Sequence, residues 1–195
     1  MQHILKCTMG AAVAFLIVAG PTLYAQYRQS QFRNFRMVRC GVLYRSGQLS
    51  LPALRSVIHD HGIETVVTLR DAPVAGQLPP DIAEEKYCIS EEINYYRISP
   101  RTWWAPDGSI PAEVGVRQFR EIMDNPSNYP VLVHCYAGIH RTGAYSAVYR
   151  MEYENWSNAD AIAEMRTNGY RDLDDEWDLL SYLEHYVPRR ERSSR

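Results

Sequence analysis

The chain has 195 residues, a formal net charge of −2, 46% hydrophobic residues and 23% charged residues. That is ordinary globular usage at the size of one catalytic domain, and it argues against disorder and against a strongly basic nucleic-acid binder. Four cysteines, Cys7, Cys40, Cys88 and Cys135, are too few for a disulfide scaffold.

Residues 7–27 carry no charge, and these 21 residues are just enough to cross a bilayer as a helix. Two readings stand. One is a cleaved secretory signal ending near Leu23-Tyr24-Ala25. The other is an uncleaved anchor, with Arg28, Arg33, Arg36 and Arg39 keeping the globular part cytoplasmic. Either sets residues 1–27 apart and makes the protein exported or membrane-anchored, with the side left open. Residues 28–188 then form one α/β domain, a central mostly parallel sheet flanked by helices. The basic tail 189–195 is expected to be disordered.

Val42-Leu43-Tyr44-Arg45 reads as a strand ending at Ser46-Gly47. Ser50 caps a helix with Pro52 in its first turn, and Gly62 ends it. Ile63 to Leu69 is a buried strand. A helix follows around Asp81–Tyr87, then a strand from Tyr95 to Ile98. Residues 99–110 form a loop holding Pro100, Pro106 and Gly108. The next helix starts at Pro111 and puts Val116, Phe119 and Met123 on one face. Val131-Leu132-Val133 is a strand. Beyond residue 142 the pattern is helical. Ala144, Ala147, Val148 and Met151 form one stripe, Ser157 caps a further helix closed by Gly169, and Trp177, Leu180 and Leu183 face the core from the last.

The chemistry lies between His134 and Gly143, read as His-Cys-Tyr-Ala-Gly-Ile-His-Arg-Thr-Gly. A strand runs into a cysteine, a turn, an arginine, a hydroxyl residue and a helix. Such a turn can aim successive N–H groups inward as an anion nest, and the helix end adds positive potential. Cys135 at its mouth would be a thiolate and a nucleophile. The loop Tyr136, Ala137, Gly138, Ile139 and His140, with Arg141, would bind the phosphate, Arg141 by two oxygens. Gly138 lets the turn close. Thr142 would hydrogen-bond the sulfur, and His134 would order the loop.

This stretch resembles the HC-x5-R-[ST] signature of cysteine-based protein tyrosine phosphatases, carried here by His134, Cys135, Arg141 and Thr142. Its place late in the chain is similar to the dual-specificity branch. Leu43-Tyr44-Arg45-Ser46-Gly47-Gln48 and Val66-Val67-Thr68-Leu69-Arg70 look like the opening strands of bacterial and atypical members. The resemblance covers about residues 35–187 and implies a dual-specificity-phosphatase-like fold. It also implies metal-independent hydrolysis of phosphomonoesters, on a phosphorylated protein or a small phosphomonoester such as an inositol phosphate. A non-catalytic phosphate-binding module and a sulfurtransferase are the other readings.

Phosphoryl transfer to Cys135 leaves an oxygen that needs a proton, which a carboxylic acid on a separate loop can supply. Trp103-Trp104-Ala105-Pro106-Asp107-Gly108 looks like a stretched form of the family's Trp-Pro-Asp loop and nominates Asp107, 28 residues before Cys135. His140 is a rival, because some relatives acting on inositol pyrophosphates carry Lys-His-Arg-Thr-Gly where this chain has Ile139-His140-Arg141-Thr142-Gly143. Asp71 is a third candidate. Arg45, Arg70, Arg97 and Arg101 are candidates to line the mouth, and Trp103 and Trp104 to wall it. The resemblance also raises a protective Cys88–Cys135 disulfide under oxidation. No histidine pair has ligand spacing with the cysteines, so no metal and no cofactor are expected, and no nucleic-acid partner.

Overall fold

The most apolar runs of the sequence become the inner strands of one sheet. The computed structural model describes residues 17, 19–26 and 29–192. Its strands are β1 (Arg36–Arg39), β2 (Leu43–Ser46), β3 (Thr65–Thr68), β4 (Asn94–Arg97) and β5 (Val131–His134), in the order β1-β2-β5-β3-β4. Only the β1–β2 pair is antiparallel. Every residue of β2, β3 and β5 is buried, as strands covered on both faces require. Strand β1 is missing from the sequence reading. It is a largely exposed edge strand, Arg-Met-Val-Arg, with no apolar run to announce it.

Side-chain alternation divides the core in two. Leu43, Val67, Val131 and Val133 face one layer, with Val116, Phe119, Ala147 and Met151. Tyr44, Val66 and Leu132 face the other, with Leu54, Val57 and Cys88. The helices are α1 (Leu51–His61), α2 (Ile82–Ser90), α3 (Glu113–Met123), α4 (His140–Tyr153), α5 (Asn158–Thr167), α6 (Trp177–Glu184) and α7 (Arg189–Arg192). The Ser50 hydroxyl accepts the Ala53 N–H at 3.3 Å, and Gly62 closes α1 at φ 61°. Ser157 caps α5 in the same way.

The C-terminal end differs from expectation in two places. Trp177, expected in the core, is exposed, and the buried stripe is Leu179, Tyr182, Leu183 and Tyr186. Trp177 is the first residue of α6, and the i, i+3, i+4, i+7 set begins two positions later. The start of the expected disordered tail forms α7, where Arg189 pairs with Asp124 at 2.6 Å and with Glu152 at 3.2 Å. The expectations for residues 1–27 fall mostly outside the described residues. Among the described residues no helix is long and apolar enough to cross a membrane.

β2, β3 and β5 end together, since Ser46 and Thr68 both pair with His134. The loops that leave these strand ends share one edge, where open α/β sheets bind ligands. The loop between β4 and α3 is anchored there by Trp103. This indole, a candidate wall in the sequence, is buried against Tyr145 and Tyr182 at 5.7 and 5.2 Å between ring centroids.

Phe119 is fully buried and stands edge-on to Tyr145 at 5.3 Å. Phe119→Ala should cost about 3–5 kcal/mol in urea unfolding. A loss below about 1 kcal/mol would contradict this packing.

Candidate active site

The loop 135–139 leaves β5 and runs directly into α4, so the positive end of a 14-residue helix sits behind Cys135. Cys135 is 4% exposed. The Gly138 N–H donates to its Sγ at 3.3 Å. Burial pushes the thiol pKa up, but the Thr142 hydroxyl and N–H, the Gly138 N–H and the nearby His134 outweigh it and bring it below the ordinary 9.0. The Thr142 hydroxyl also donates to the Ser46 carbonyl at 3.4 Å.

Gly138 has φ 74°, and a Cβ there would come within 2.3 Å of the Gly47 nitrogen. Only glycine fits that conformation and that contact.

Beneath the loop lies a charged layer that the sequence reading did not find. His134 Nε2 is 2.6 Å from Glu84 Oε1, with both side chains buried. Burial works against a charged His134, but Glu84 outweighs it and the pKa is raised. Glu84 also accepts from Gln48 at 2.6 Å and from the Tyr95 hydroxyl at 3.1 Å. Neighbouring Asp81 pairs with Arg97 at 2.7 Å. Asp81, Glu84 and His134 are the one grouping of metal-ligand types among the described residues, and Arg97 closes it with its own cation. No spacing in the sequence links α2 to the end of β5, so nothing there could have flagged these residues.

Two candidate mouth arginines lie elsewhere. Arg45 is 3% exposed behind the loop, where its Nη2 donates to the Gly138 carbonyl at 2.8 Å. Burial pulls its pKa down to about 10. Arg97 is committed to Asp81 and Glu85. Arg70 and Arg141 do reach the mouth. With Asp71, Ser99, Pro100 and Tyr136 they line a cavity of about 560 Å³. Arg101 joins Arg141 in a narrower adjoining cleft. The exposed Tyr136 ring lies between Arg33 and Arg70, at 4.5 and 5.3 Å.

The three proton-donor candidates are placed differently. Asp107 is exposed and is not among the residues lining that cavity. Its Oδ1 accepts from the Ser109 N–H at 2.9 Å and hydroxyl at 2.7 Å, which holds its pKa below the usual carboxylate range. Asp71 does line the cavity, with its two oxygens taken by the Ser99 hydroxyl and the Ala72 N–H. His140 stacks on Tyr170 at 4.5 Å. Cys88, for which the resemblance raised a disulfide with Cys135, packs in the opposite core layer from it, and burial pushes its pKa up to about 12.

A cysteine held in an amide-lined turn between the central strand and a helix, with an arginine at the mouth, places the molecule in the cysteine-based protein tyrosine phosphatase superfamily. Residues 27–177 match the family described as DSP-PTPase phosphatase fused to NAD+ kinase, and the chain belongs to it. The dual specificity protein phosphatase TpbA of Pseudomonas aeruginosa is 41% identical over 54 residues, 28% of this chain and 25% of that relative. The aligned part thus spans about a quarter of TpbA. OCA1 of Debaryomyces hansenii is 31% identical over 129 residues, 64% of this chain and 61% of the relative. Two solved structures share the fold. The catalytic core of the PP-IP phosphatase SIW14 from S. cerevisiae superposes with a TM-score of 0.63 at 22% identity, over 84% of this chain and 91% of that one. P. aeruginosa TpbA superposes with a TM-score of 0.62 at 24% identity, over 83% and 89%.

The two buried thiols should part in reactivity. A lowered pKa means more thiolate at a given pH, so iodoacetamide should modify Cys135 with a midpoint below 9.0, while Cys88, held near 12, stays unmodified at neutral pH. Peptide mapping after timed alkylation reads both, and equal labelling of the two would contradict the placement.

Proposed function

We propose that the chain hydrolyses phosphomonoesters through a phosphocysteine, acting on phosphorylated protein. The observation that carries this reading is the buried Cys135 sulfur, which faces the Gly138 N–H and Thr142 with its pKa drawn down. The thiolate attacks phosphorus while the bond to the leaving oxygen breaks. The loop amides of 136–140 and the Arg141 guanidinium hold the phosphoryl oxygens and their developing charge. A carboxylic acid protonates the leaving oxygen. Water then displaces sulfur from phosphorus, and Thr142 eases the departure of the thiolate by hydrogen-bonding it.

Asp107 serves as the acid after its loop swings toward the cavity. Among the described residues the Ser109 N–H and hydroxyl hold the carboxylate away, so the swing breaks local bonds and leaves the Trp103 anchor in place. Asp71 is the second reading, favoured by its place in the cavity beside Arg141. Its carboxylate there also weighs against a densely phosphorylated substrate. Arg70 and Arg101 near Arg141 favour the alternative substrate class, inositol phosphates or other small phosphomonoesters.

The uncharged residues 7–27 support export or membrane tethering. A mature chain starting after Ala25 would make the segment a cleaved signal. An intact chain that stays with membranes after an alkaline carbonate wash would make it an anchor. An intact chain in the soluble fraction would defeat both.

Hydrolysis of p-nitrophenyl phosphate with EDTA present tests the mechanism. Wild type should turn over and Cys135→Ser should not. Asp107→Asn should lose roughly a hundredfold in kcat together with the basic limb of the pH profile. If Asp71→Asn shows that loss instead, the acid is Asp71. Turnover by Cys135→Ser would sink the phosphocysteine. A panel of phosphopeptides and inositol phosphates ranks the two substrate classes.

A further inference from the structure

The three carbonyls that follow Cys135 in the loop are each gripped from outside it. The Tyr136 carbonyl accepts from the Gln48 N–H at 2.9 Å and from Arg33 Nη1 at 3.4 Å. The Ala137 carbonyl accepts from Asn34 Nδ2 at 2.8 Å. The Gly138 carbonyl accepts from Arg45 Nη2, also at 2.8 Å. In a trans peptide the C=O and the following N–H point in opposite directions. Pinning a carbonyl outward therefore turns the next N–H inward. One peptide displays both halves, since Asn34 holds the Ala137 carbonyl while the Gly138 N–H of the same unit points at Cys135 Sγ at 3.3 Å.

We propose that Asn34 and Arg45 are positioning residues that hold the amides of the 135–139 loop toward its centre by gripping its carbonyls from behind. The proposal rests on the reading of this loop as phosphate-binding. Without the grips a loop peptide can turn over, and a carbonyl lone pair would then face the anion in place of an N–H.

Both residues are built for the task. Asn34 sits at φ 49°, a conformation asparagine tolerates better than most residues. Its Oδ1 accepts from Gln29 Nε2 at 3.4 Å, which commits the amide nitrogen to Ala137. The preceding Arg33 carbonyl accepts the Gly47 N–H at 2.7 Å, stitching this segment to the loop after β2. Arg45 is buried, and its Nε has no partner among the described residues, so the Gly138 carbonyl is the contact its guanidinium serves. Neither residue lines the cavity at the mouth, so both act through the loop backbone.

The test compares wild type with Asn34→Asp, Asn34→Gly and Arg45→Met. Orthovanadate affinity, the pH midpoint of Cys135 alkylation and the melting temperature are read on each. Aspartate sets an acceptor against the Ala137 carbonyl, and glycine keeps the backbone while removing the grip. Asn34→Asp should weaken vanadate binding about tenfold or more and raise the alkylation midpoint, with Tm within about 3 °C of wild type. Asn34→Gly should fall between the two. Arg45→Met should move both site readouts the same way and also lower Tm, because it empties a buried position. A folded Asn34→Asp with the vanadate affinity and alkylation midpoint of wild type would overturn the proposal. Wild type that binds no vanadate, together with an alkylation midpoint that still shifts in Asn34→Asp, would leave the grip standing and count against the phosphatase reading.

Discussion

β5 ends at His134 and α4 begins at His140, which leaves five residues to reverse the chain and present a sulfur, a ring of amides and a helix end at one point. The rest of the site depends on that tight reversal. It forces a positive φ at Gly138 and brings this glycine against Gly47 and Ser46, closer than any side chain allows. It also leaves loop carbonyls without partners of their own. The surrounding segments answer by supplying donors, the backbone of Gln48 and the side chains of Asn34 and Arg45.

The same reversal explains the buried charges. A cysteine whose pKa is drawn down inside a buried turn calls for positive charge nearby. Arg45 supplies positive charge from one side, and on the other Glu84 raises the pKa of His134. Asp81 and Arg97 extend the array to β4. Such pairs gain little net stability, because desolvation consumes most of their attraction. Their value lies in direction: Glu84 fixes the His134 ring at the end of β5, and the Asp81–Arg97 pair ties the start of α2 to β4.

Much of this was legible in the residues, for physical reasons. The inner strands are apolar because they are covered on both faces, and the caps at Ser50, Gly62 and Ser157 declare themselves by type and spacing. Cys135, Arg141 and Thr142 lie within eight residues of one another, so sequence distance and spatial distance coincide. Illegible were the features built from distant segments. Glu84 meets His134 across 50 residues, and Asn34 meets Ala137 across 103. Arg45 shows the limit most sharply. Its type and its place beside the site pointed to the mouth, yet the parity of a strand sent it inward. Edge strand β1 escaped because an exposed edge carries no apolar run.

Asn34 and Arg33, which touch the back of the loop, follow shortly after the uncharged stretch that ends at Tyr27. Six residues, 28–33, span roughly 20 Å at full extension. In the anchored reading proposed above, the catalytic mouth would thus be leashed close to the bilayer surface and unable to roam the aqueous phase. The leash would select substrates by their height above the membrane before any pocket contact is made. It would also let tension or crowding at the bilayer reach the loop through Asn34.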